Sequence, residues 1–320
     1  MKPEILQLSP VLIPSINEKL NELFTIRPYF QQAQADKEAF LQEHAANIRG
    51  VISGGHTGIT RAMMERLPAL EVVAVNGVGT DAVDMAYARE RGIHVTATIG
   101  ALTDDVADLA IGLLIAVCRG INTGDRYVRD GKWGKSATPL VPLPLARQFS
   151  GMHVGIVGMG RVGRAVAARA AAFNCNISYT DLQTISDVPY DFVDNLAELA
   201  KQCDALIVAA AADKVEGIIN AEVLNALGKD GYLINVARGK LVNETDLVAA
   251  LTEGRIAGAG LDVFVDEPHV PEALWSMENV VLQPHRASAT VETRTRMGEI
   301  VVVSLEQNFR GERPAYSLTT

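Results

Sequence analysis

Residues 153–166 read HVGIVGMGRVGRAV, an apolar, β-branched run followed by a glycine-rich turn and a helical pattern. The glycines of the turn have the spacing G-x-G-x-x-G. In such a turn the first glycine, Gly158, permits a tight bend, the second, Gly160, lets the backbone approach a pyrophosphate, and the third, Gly163, allows close packing of helix on strand. The stretch therefore predicts a strand–turn–helix unit of a parallel α/β fold that binds a dinucleotide.

The strand after this helix ends in a carboxylate. Asp181 directly follows the strand pattern of residues 176–180, where such folds hold a ribose diol. Its negative charge disfavours the 2′-phosphate of NADP, and residues 180–187 contain no lysine or arginine to receive that phosphate. We therefore predict NAD as the cofactor, with Arg161 and Val162 at the start of the helix adding contacts to its phosphates.

Strand and helix patterns alternate through most of the chain. A first series covers residues 4–97, and a second begins at Met152. Strands separated by helices of this length predict right-handed βαβ units, and hence an α/β protein of two Rossmann-like or flavodoxin-like parallel-sheet domains with a cleft between them. The last predicted helix, residues 290–309, is expected to pack back on the first series. The domains are then a substrate-binding domain of residues 1–100 plus 289–320 and an NAD-binding domain of residues 101–288.

Two segments connect the series. Residues 103–130 predict one long apolar-rich helix, with Asp104 and Asp105 in its first turn, where the helix dipole favours negative charge. Residues 131–151 contain three prolines, which remove backbone donors and break the periodicity. This second segment predicts a long loop or arm.

The composition excludes several classes of protein. A chain of 320 residues is longer than one hydrophobic core usually supports, so two domains are expected. The net charge of −9 argues against a nucleic-acid partner, because binding to phosphates relies on lysine and arginine. The most apolar run, residues 106–118, is too short to span a bilayer, so no membrane partner is expected. The three cysteines form no Cys-x-x-Cys pair, which predicts no disulfide, no metal site and a cytoplasmic location.

Three polar side chains follow predicted strands of the second series: Arg238, Glu267 and His285. Because ligands bind beyond the carboxyl ends of parallel strands, the three are expected to converge. A guanidinium holds a carboxylate and polarises a ketone, an imidazolium delivers the proton that accompanies hydride addition, and a carboxylate orients the imidazole. The set suits reduction of a 2-keto acid. His269 is the main alternative for the histidine, and a structural role for a single histidine after a strand stays open.

Six motifs occur in order along the chain: NGVGTD at 76–81, VGMGRVG at 157–163, NVARG at 235–239, GAGLDVF at 258–264, EP at 267–268 and PH at 284–285. In this combination the sequence closely resembles the D-isomer-specific 2-hydroxyacid dehydrogenase family, particularly its glyoxylate, hydroxypyruvate and hydroxyphenylpyruvate reductases. The resemblance covers nearly the whole chain from about Val51 onward.

This resemblance implies roles for individual residues. Arg238 would bind the substrate carboxylate and carbonyl, Glu267 would pair with the histidine, and His285 would act as the acid/base. The backbone N–H groups of Val78 and Gly79 would take the substrate carboxylate.

Further contacts follow from the same resemblance. Ser53 and Gly54 resemble the other substrate-side loop of the family, with a plain turn as the alternative, and Asp262 would lie near the nicotinamide. The remaining predicted cofactor contacts follow strands: Ala209, Val236, Ala237, Arg238 and His285. Relatives commonly have a proline-rich segment where this chain reads VAAAAD at residues 208–213, so the contact at Ala209 departs from the family pattern.

The partners expected from the resemblance are a small 2-keto or 2-hydroxy acid and a second copy of the chain. Glyoxylate, hydroxypyruvate and aryl pyruvates are the expected substrates, and residues 131–151 are expected to reach the partner subunit of a homodimer. Arg286 replaces a small or apolar residue, and it either favours a second anionic group on the substrate or faces solvent. Two other functions stay open: a nicotinamide-sensing binding protein similar to transcriptional corepressors, and phosphoglycerate dehydrogenase.

Overall fold

The computed structural model describes residues 2–135, 143–211 and 215–319. Its internal contacts divide the chain into unit 1, Met1–Leu102 with Ser288–Thr320, and unit 2, Thr103–Ala287. Each unit is an α/β domain built on a parallel sheet. The predicted fold class of two parallel-sheet domains is thus confirmed.

Unit 1 contains a five-stranded parallel sheet in the order β2-β1-β3-β4-β5. Its strands are β1 (Glu4–Gln7), β2 (Thr25–Pro28), β3 (Ile48–Gly54), β4 (Val72–Asn76) and β5 (His94–Ala97). Its helices are α1 (Pro14–Leu23), α2 (Lys37–His44), α3 (Arg61–Glu65), α4 (Met85–Glu90) and α11 (Val291–Phe309). The parallel order follows from the helices that connect successive strands.

The last helix, α11, makes unit 1 discontinuous in sequence. Val301, Val302 and Leu305 of α11 are buried in one apolar cluster with Val72 and Ala74 of β4. Burial of these side chains on the sheet brings residues 291–309 back to the first series, as the sequence predicts.

Unit 2 contains a seven-stranded parallel sheet in the order β12-β11-β10-β9-β6-β7-β8. Its strands are β6 (His153–Val157), β7 (Asn176–Thr180), β8 (Asp191–Phe192), β9 (Ala205–Val208), β10 (Tyr232–Asn235), β11 (Gly258–Leu261) and β12 (Val280–Leu282). Its helices are α5 (Thr103–Arg119), α6 (Ile121–Arg129), α7 (Arg161–Ala172), α8 (Leu196–Gln202), α9 (Ala221–Leu227) and α10 (Glu244–Thr252). The strand order reverses between β6 and β9, which is where ligands bind in open α/β sheets.

The prediction of one helix over residues 103–130 is wrong. The helix is interrupted at Gly120, whose φ of 59° lies in the left-handed region, and α5 and α6 meet at a bend of 62°. Glycine adopts this conformation at little steric cost, which explains a break that the apolar periodicity did not reveal. Among the described residues, no helix by itself has both the length and the hydropathy of a membrane-spanning segment. The bent pair α5–α6 reaches that length and hydropathy only when its two helices are taken together.

Two predicted segments lie partly outside the described residues. Residues 136–142 fall in the middle of the predicted arm, and residues 212–214 include the end of the alanine-rich segment after β9. Strand β8 was not predicted, because two residues are too few to show a pattern of alternation.

Candidate active site

The glycine-rich turn connects β6 to α7 at the point where the strand order reverses. Gly158 has a φ of 93°, and a Cβ there would lie 2.5 Å from the Cα of Ala210. A Cβ on Gly163 would lie 2.0 Å from the carbonyl oxygen of Gly158. At Gly160, by contrast, a Cβ would meet nothing within 4 Å. The first and third glycines are therefore required by the fold, and the backbone at the second is open to a phosphate at the start of α7.

The carboxylate of Asp181 is fixed against this turn. Oδ2 accepts a hydrogen bond from Met159 N at 2.7 Å, and Oδ1 accepts one from Leu182 N at 2.7 Å. The turn and the end of β7 are also joined directly, because Gly158 N donates to Thr180 O at 2.8 Å. The carboxylate is thus held at the turn where a bound dinucleotide places its adenosine ribose.

An ion pair that the sequence analysis missed lies beside Asp181. Arg164 of α7 donates to both carboxylate oxygens of Asp187, at 2.8 and 2.7 Å, and its Nε donates to Met159 O at 3.3 Å. This hydrogen-bonded pair lowers the pKa of Asp187. The sequence search for a basic residue covered only residues 180–187, whereas the structure supplies a guanidinium from the preceding helix, already engaged by a carboxylate.

Other predicted cofactor residues lie at the carboxyl ends of β9 and β10. Ala209 N donates to Val157 O at 2.9 Å, so this residue sits beside the glycine-rich turn. Val236 and Ala237 follow β10 and are buried. At the start of α7, Arg161 is exposed and Val162 is half-buried. These five residues stay predicted contacts.

His285 and Glu267 form a hydrogen-bonded pair where β11 and β12 end. The Nδ1 atom of His285 lies 2.8 Å from Oε2 of Glu267, and Oε1 of Glu267 accepts a hydrogen bond from Phe264 N at 2.9 Å. Because an ionised carboxylate only accepts, Nδ1 carries the proton of this bond and Nε2 is the nitrogen available for proton transfer. The alternative histidine, His269, is 78% exposed, against 31% for the side chain of His285.

Arg238 lies in a turn after β10 that side-chain hydrogen bonds of Asn235 stabilise. Asn235 accepts a hydrogen bond from Ala237 N at 3.1 Å and donates one to Arg238 O at 2.9 Å. A Cβ on Gly239 would lie 1.9 Å from the backbone of Phe264, so this turn packs directly against the segment that follows β11. Asn235 and Gly239 are supporting residues that the sequence analysis quoted only as part of a motif.

Asp262 holds the backbone around His285. Its backbone oxygen accepts from His285 N at 2.9 Å, and its carboxylate accepts from Arg286 N at 2.7 Å and Ala287 N at 2.9 Å. Burial raises the pKa of Asp262, and the hydrogen bonds from the two N–H groups oppose that shift. His285 has a φ of 50°, a left-handed conformation that an L-residue adopts only at a cost. The three bonds stabilise that conformation.

The proximity of Asp262 to the nicotinamide, which the family resemblance implies, stays a prediction. The side chain is fully buried, and its carboxylate accepts hydrogen bonds from the backbone. We assign it to the positioning of His285.

In unit 1, the two predicted substrate loops pack against each other. A Cβ on Gly77 would lie 3.1 Å from Gly55 N, and a Cβ on Gly55 would lie 3.3 Å from Gly79 O. Val78 is exposed beside them, and Gly54, at the end of β3, is half-buried. The close approach explains why glycines occur in both loops.

Ser53 does not fit its predicted role. The residue is wholly buried, and its hydroxyl donates to Gly58 O within the same loop. A direct contact between Ser53 and a substrate is therefore not supported, because the hydroxyl stabilises the loop from inside.

Unit 2 thus combines an open glycine turn, a carboxylate at the ribose position and a histidine–glutamate pair, all at the carboxyl edge of one sheet. A histidine so paired can exchange a proton in step with hydride transfer. The fold and the site define a nicotinamide-dependent dehydrogenase.

A family model described as D-isomer specific 2-hydroxyacid dehydrogenase, NAD binding domain, matches residues 111–287. The chain is 45% identical over 309 residues to a 2-ketogluconate reductase from Gluconobacter oxydans, covering 96% of each. It is 46% identical over 299 residues to a hydroxyphenylpyruvate reductase from Plectranthus scutellarioides, covering 93% of each. The structure of an NADPH-dependent glyoxylate/hydroxypyruvate reductase from Sinorhizobium meliloti superposes with a TM-score of 0.86 at 38% identity, covering 99% of this chain and 97% of that one.

The chain belongs to the D-isomer specific 2-hydroxyacid dehydrogenase family. It is an oxidoreductase that uses a nicotinamide cofactor and acts on the CH–OH group of 2-hydroxy acids, or in reverse on 2-keto acids. The resemblance drawn from its motifs is confirmed.

Proposed function

We propose that this enzyme uses NADH to reduce glyoxylate, hydroxypyruvate or an aryl pyruvate, with His285 as the proton donor. The observation that carries the proposal is the 2.8 Å hydrogen bond between His285 Nδ1 and Glu267 Oε2. This bond occupies Nδ1 and leaves Nε2 as the atom that donates the proton. Relatives that bear the names of reductases of 2-ketogluconate and hydroxyphenylpyruvate support a 2-keto acid as the substrate class.

The residues of unit 2 divide the chemistry between them. When bound, the nicotinamide cofactor supplies the hydride that adds to the carbonyl carbon. His285 donates a proton from Nε2 to the carbonyl oxygen, which becomes the hydroxyl of the product. Arg238 holds the substrate carboxylate and polarises the carbonyl, and Glu267 stabilises the charged imidazole before the proton leaves.

In unit 1, we propose the backbone N–H groups of Val78 and Gly79 as a second set of donors to the substrate carboxylate. The glycines on either side of Val78 keep this backbone clear of β-carbons. Gly54 lies at the start of the loop that packs on it.

The proposal is tested with a panel of 2-keto acids assayed with NADH and with NADPH. The panel contains glyoxylate, hydroxypyruvate, phenylpyruvate, 2-ketogluconate and 3-phosphohydroxypyruvate. Efficient turnover of one of the first three supports the proposal. Highest kcat/KM with 3-phosphohydroxypyruvate instead identifies a phosphoglycerate dehydrogenase and gives Arg286 a substrate phosphate to bind. Tight NADH binding with no turnover of any member identifies a sensing protein.

We further propose NAD rather than NADP as the cofactor, although the related Sinorhizobium enzyme is described as NADPH-dependent. Replacing Asp181 with serine is expected to lower kcat/KM for NADH by about tenfold to a hundredfold, since a hydrogen bond to a charged group contributes about 1.5–3 kcal/mol. Adding Asp187→Asn releases Arg164 from its ion pair, so the double variant is expected to prefer NADPH. Steady-state kinetics with both cofactors measure this change.

The control for this pair is Asp230→Asn. Asp230 is an exposed aspartate that precedes β10, so it lies at the opposite edge of the same sheet. The variant Asp230→Asn removes one negative charge, as each of the two substitutions does, and it is expected to leave the cofactor preference unchanged. A wild-type enzyme with higher kcat/KM for NADPH than for NADH would refute the choice of NAD.

We also propose a homodimer formed through α6. This helix buries none of its residues, and the side chains of Ile121 and Val128 are 54% and 53% exposed, with Trp133 just beyond at 48%. An apolar face of this kind is favoured at contacts between subunits.

A charge on this face is expected to separate the subunits. The variant Val128→Glu should shift the mass measured by light scattering from dimer to monomer, because a carboxylate buried in an apolar contact lacks a partner. Leu12→Glu, which changes another exposed aliphatic residue, 65% exposed in unit 1, should remain dimeric. A wild-type chain that is monomeric at assay concentration would rule out the dimer.

We propose a reducing compartment, the cytoplasm, as the location. Cys118 and Cys203 are buried, Cys175 is half-buried, and none of the three is in a disulfide. Fractionation of cells that express the tagged chain tests this location.

A further inference from the structure

Three buried polar atoms at one edge of unit 1 have no hydrogen-bond partner among the described residues. They are Oδ1 of Asn76, Oγ1 of Thr98 and Nε of Arg294. Buried polar groups are nearly always hydrogen-bonded, and leaving one unsatisfied costs about 1–3 kcal/mol. Three in one place therefore call for a common explanation.

Asn76 and Thr98 are neighbours on adjacent strands. The register of β4 and β5 pairs Val75 with Ala97, and Thr98 N donates to Gly77 O at 2.9 Å just beyond that pair. Neighbouring strands lie about 5 Å apart, so residues in register on parallel strands have their side chains about that far apart on one face. The two polar side chains therefore stand side by side where the Gly77–Gly79 turn begins.

Arg294 lies on the same face of the sheet. Val72 and Ala74 of β4 pack against Val301 of α11, and the alternation of side chains along a strand places Asn76 on that face as well. Arg294 precedes Val301 by two helical turns, so it lies on the side of α11 that faces the sheet.

The direction of α11 places Arg294 at the correct end. Near its start, Thr293 Oγ1 donates to Ala101 O at 3.3 Å, beyond the carboxyl end of β5. Near its end, Asn308 Nδ2 donates to Glu71 Oε2 at 3.2 Å, before the start of β4. The helix thus runs antiparallel to these strands, and Arg294 lies at their carboxyl edge.

The charge of Arg294 has no counter-ion in the described part of the chain. The side chain is half-buried, and burial is the cause that lowers its pKa from the ordinary value. Its Nε atom is buried without a hydrogen-bond partner among the described residues, and no described carboxylate contributes to the shift in its pKa. A charge that is partly removed from water and lacks a partner is destabilising, which points to a contribution of Arg294 other than stability.

We propose that Arg294, Asn76 and Thr98 enclose an ordered water molecule next to the Gly77–Gly79 turn, and that the charge of Arg294 strengthens the binding of the substrate carboxylate by that turn. The water accepts a hydrogen bond from Nε–H of Arg294 and donates one to Oδ1 of Asn76. The Thr98 hydroxyl either donates a hydrogen bond to this water or accepts one from it. Arg294 is thereby a positioning residue for an anionic substrate. This inference rests on the proposed function in taking the N–H groups of the turn as the carboxylate site.

The test is Arg294→Gln, which removes the charge and keeps a donor. In assays of the full-length enzyme with NADH, KM for glyoxylate is expected to rise about tenfold while kcat stays within about twofold. A unit charge roughly 10 Å from an anion, at an effective dielectric constant of about 20, changes binding by about this factor. Thr98→Val should raise KM by a smaller factor, and a high-resolution crystal structure should place one water within hydrogen-bond distance of all three side chains.

The control is Arg310→Gln, at the opposite end of the same helix, where the arginine is exposed and paired with Glu312. Its KM should equal that of the wild type. An unchanged KM for Arg294→Gln, or equal losses in kcat and NADH affinity, would overturn the inference.

A binding measurement distinguishes a wrong substrate assignment from a wrong role for Arg294. The dissociation constant of oxalate, an unreactive carboxylate, is measured by calorimetry for the enzyme–NADH complex. It should rise about tenfold in Arg294→Gln even if the wild type does not reduce glyoxylate. An oxalate affinity equal to that of the wild type would contradict the role of Arg294.

Discussion

Replacing His285 with alanine is expected to lower kcat for 2-keto acid reduction by about a thousandfold, within the 10²–10⁴ range of general acid catalysis. The variant loses the proton donor, while the glycine-rich turn and Asp181 are untouched. The dissociation constant of NADH, measured by quenching of protein fluorescence, should therefore stay within about twofold of the wild-type value.

The matched control is His269→Ala. His269 lies two residues after Glu267, pairs with Asp266 at 3.4 Å and is 78% exposed, so it tests the alternative histidine directly. Its kcat should be unchanged. Full activity in His285→Ala, or a comparable loss in His269→Ala, would contradict the assignment of the acid.

Asp262→Asn is expected to reduce kcat by about a hundredfold, although the side chain bonds to the backbone next to His285 and not to the imidazole. The two carboxylate oxygens of Asp262 each accept a hydrogen bond from one N–H group, that of Arg286 or that of Ala287. The amide of asparagine has only one oxygen, so its NH₂ group faces one of these N–H groups, donor against donor. The turn must then shift, and a displacement of about 1 Å of a catalytic group costs about a hundredfold in rate. The unfavourable contact should also lower the free energy of unfolding by about 1–3 kcal/mol.

Stopped-flow measurement of NADH oxidation and urea denaturation check both effects. Asp266→Asn is the control, because this aspartate lies in the same segment, is exposed and undergoes the same change of charge. It should keep wild-type kcat and stability. An Asp262→Asn variant with normal kcat would show that the hydrogen bonds of Asp262 do not position His285.

The sequence predicted the elements whose signals are local. The turn at Gly158, Gly160 and Gly163 lies between strand and helix as predicted, because backbone conformation and close packing restrict Gly158 and Gly163 to glycine. Strand periodicity placed Glu267 and His285 after neighbouring strands, and parallel strands end at the same edge. Their pairing at 2.8 Å follows from that arrangement.

The sequence did not predict features that depend on residues far apart in the chain. Arg164, near the start of α7, pairs with Asp187 in the segment after β7, and no local pattern links them. The break at Gly120 escaped detection because the apolar period continues through it.

For the site, local sequence determined which residue types stand at the ends of strands, since turn chemistry and side-chain alternation act over a few residues. The tertiary structure decided what those residues do. Asp262 is indistinguishable in sequence from a ligand-binding carboxylate, and only the burial of its oxygens against Arg286 N and Ala287 N shows that it holds a turn. The physical reason is that desolvation and hydrogen bonding are set by neighbours that folding brings together.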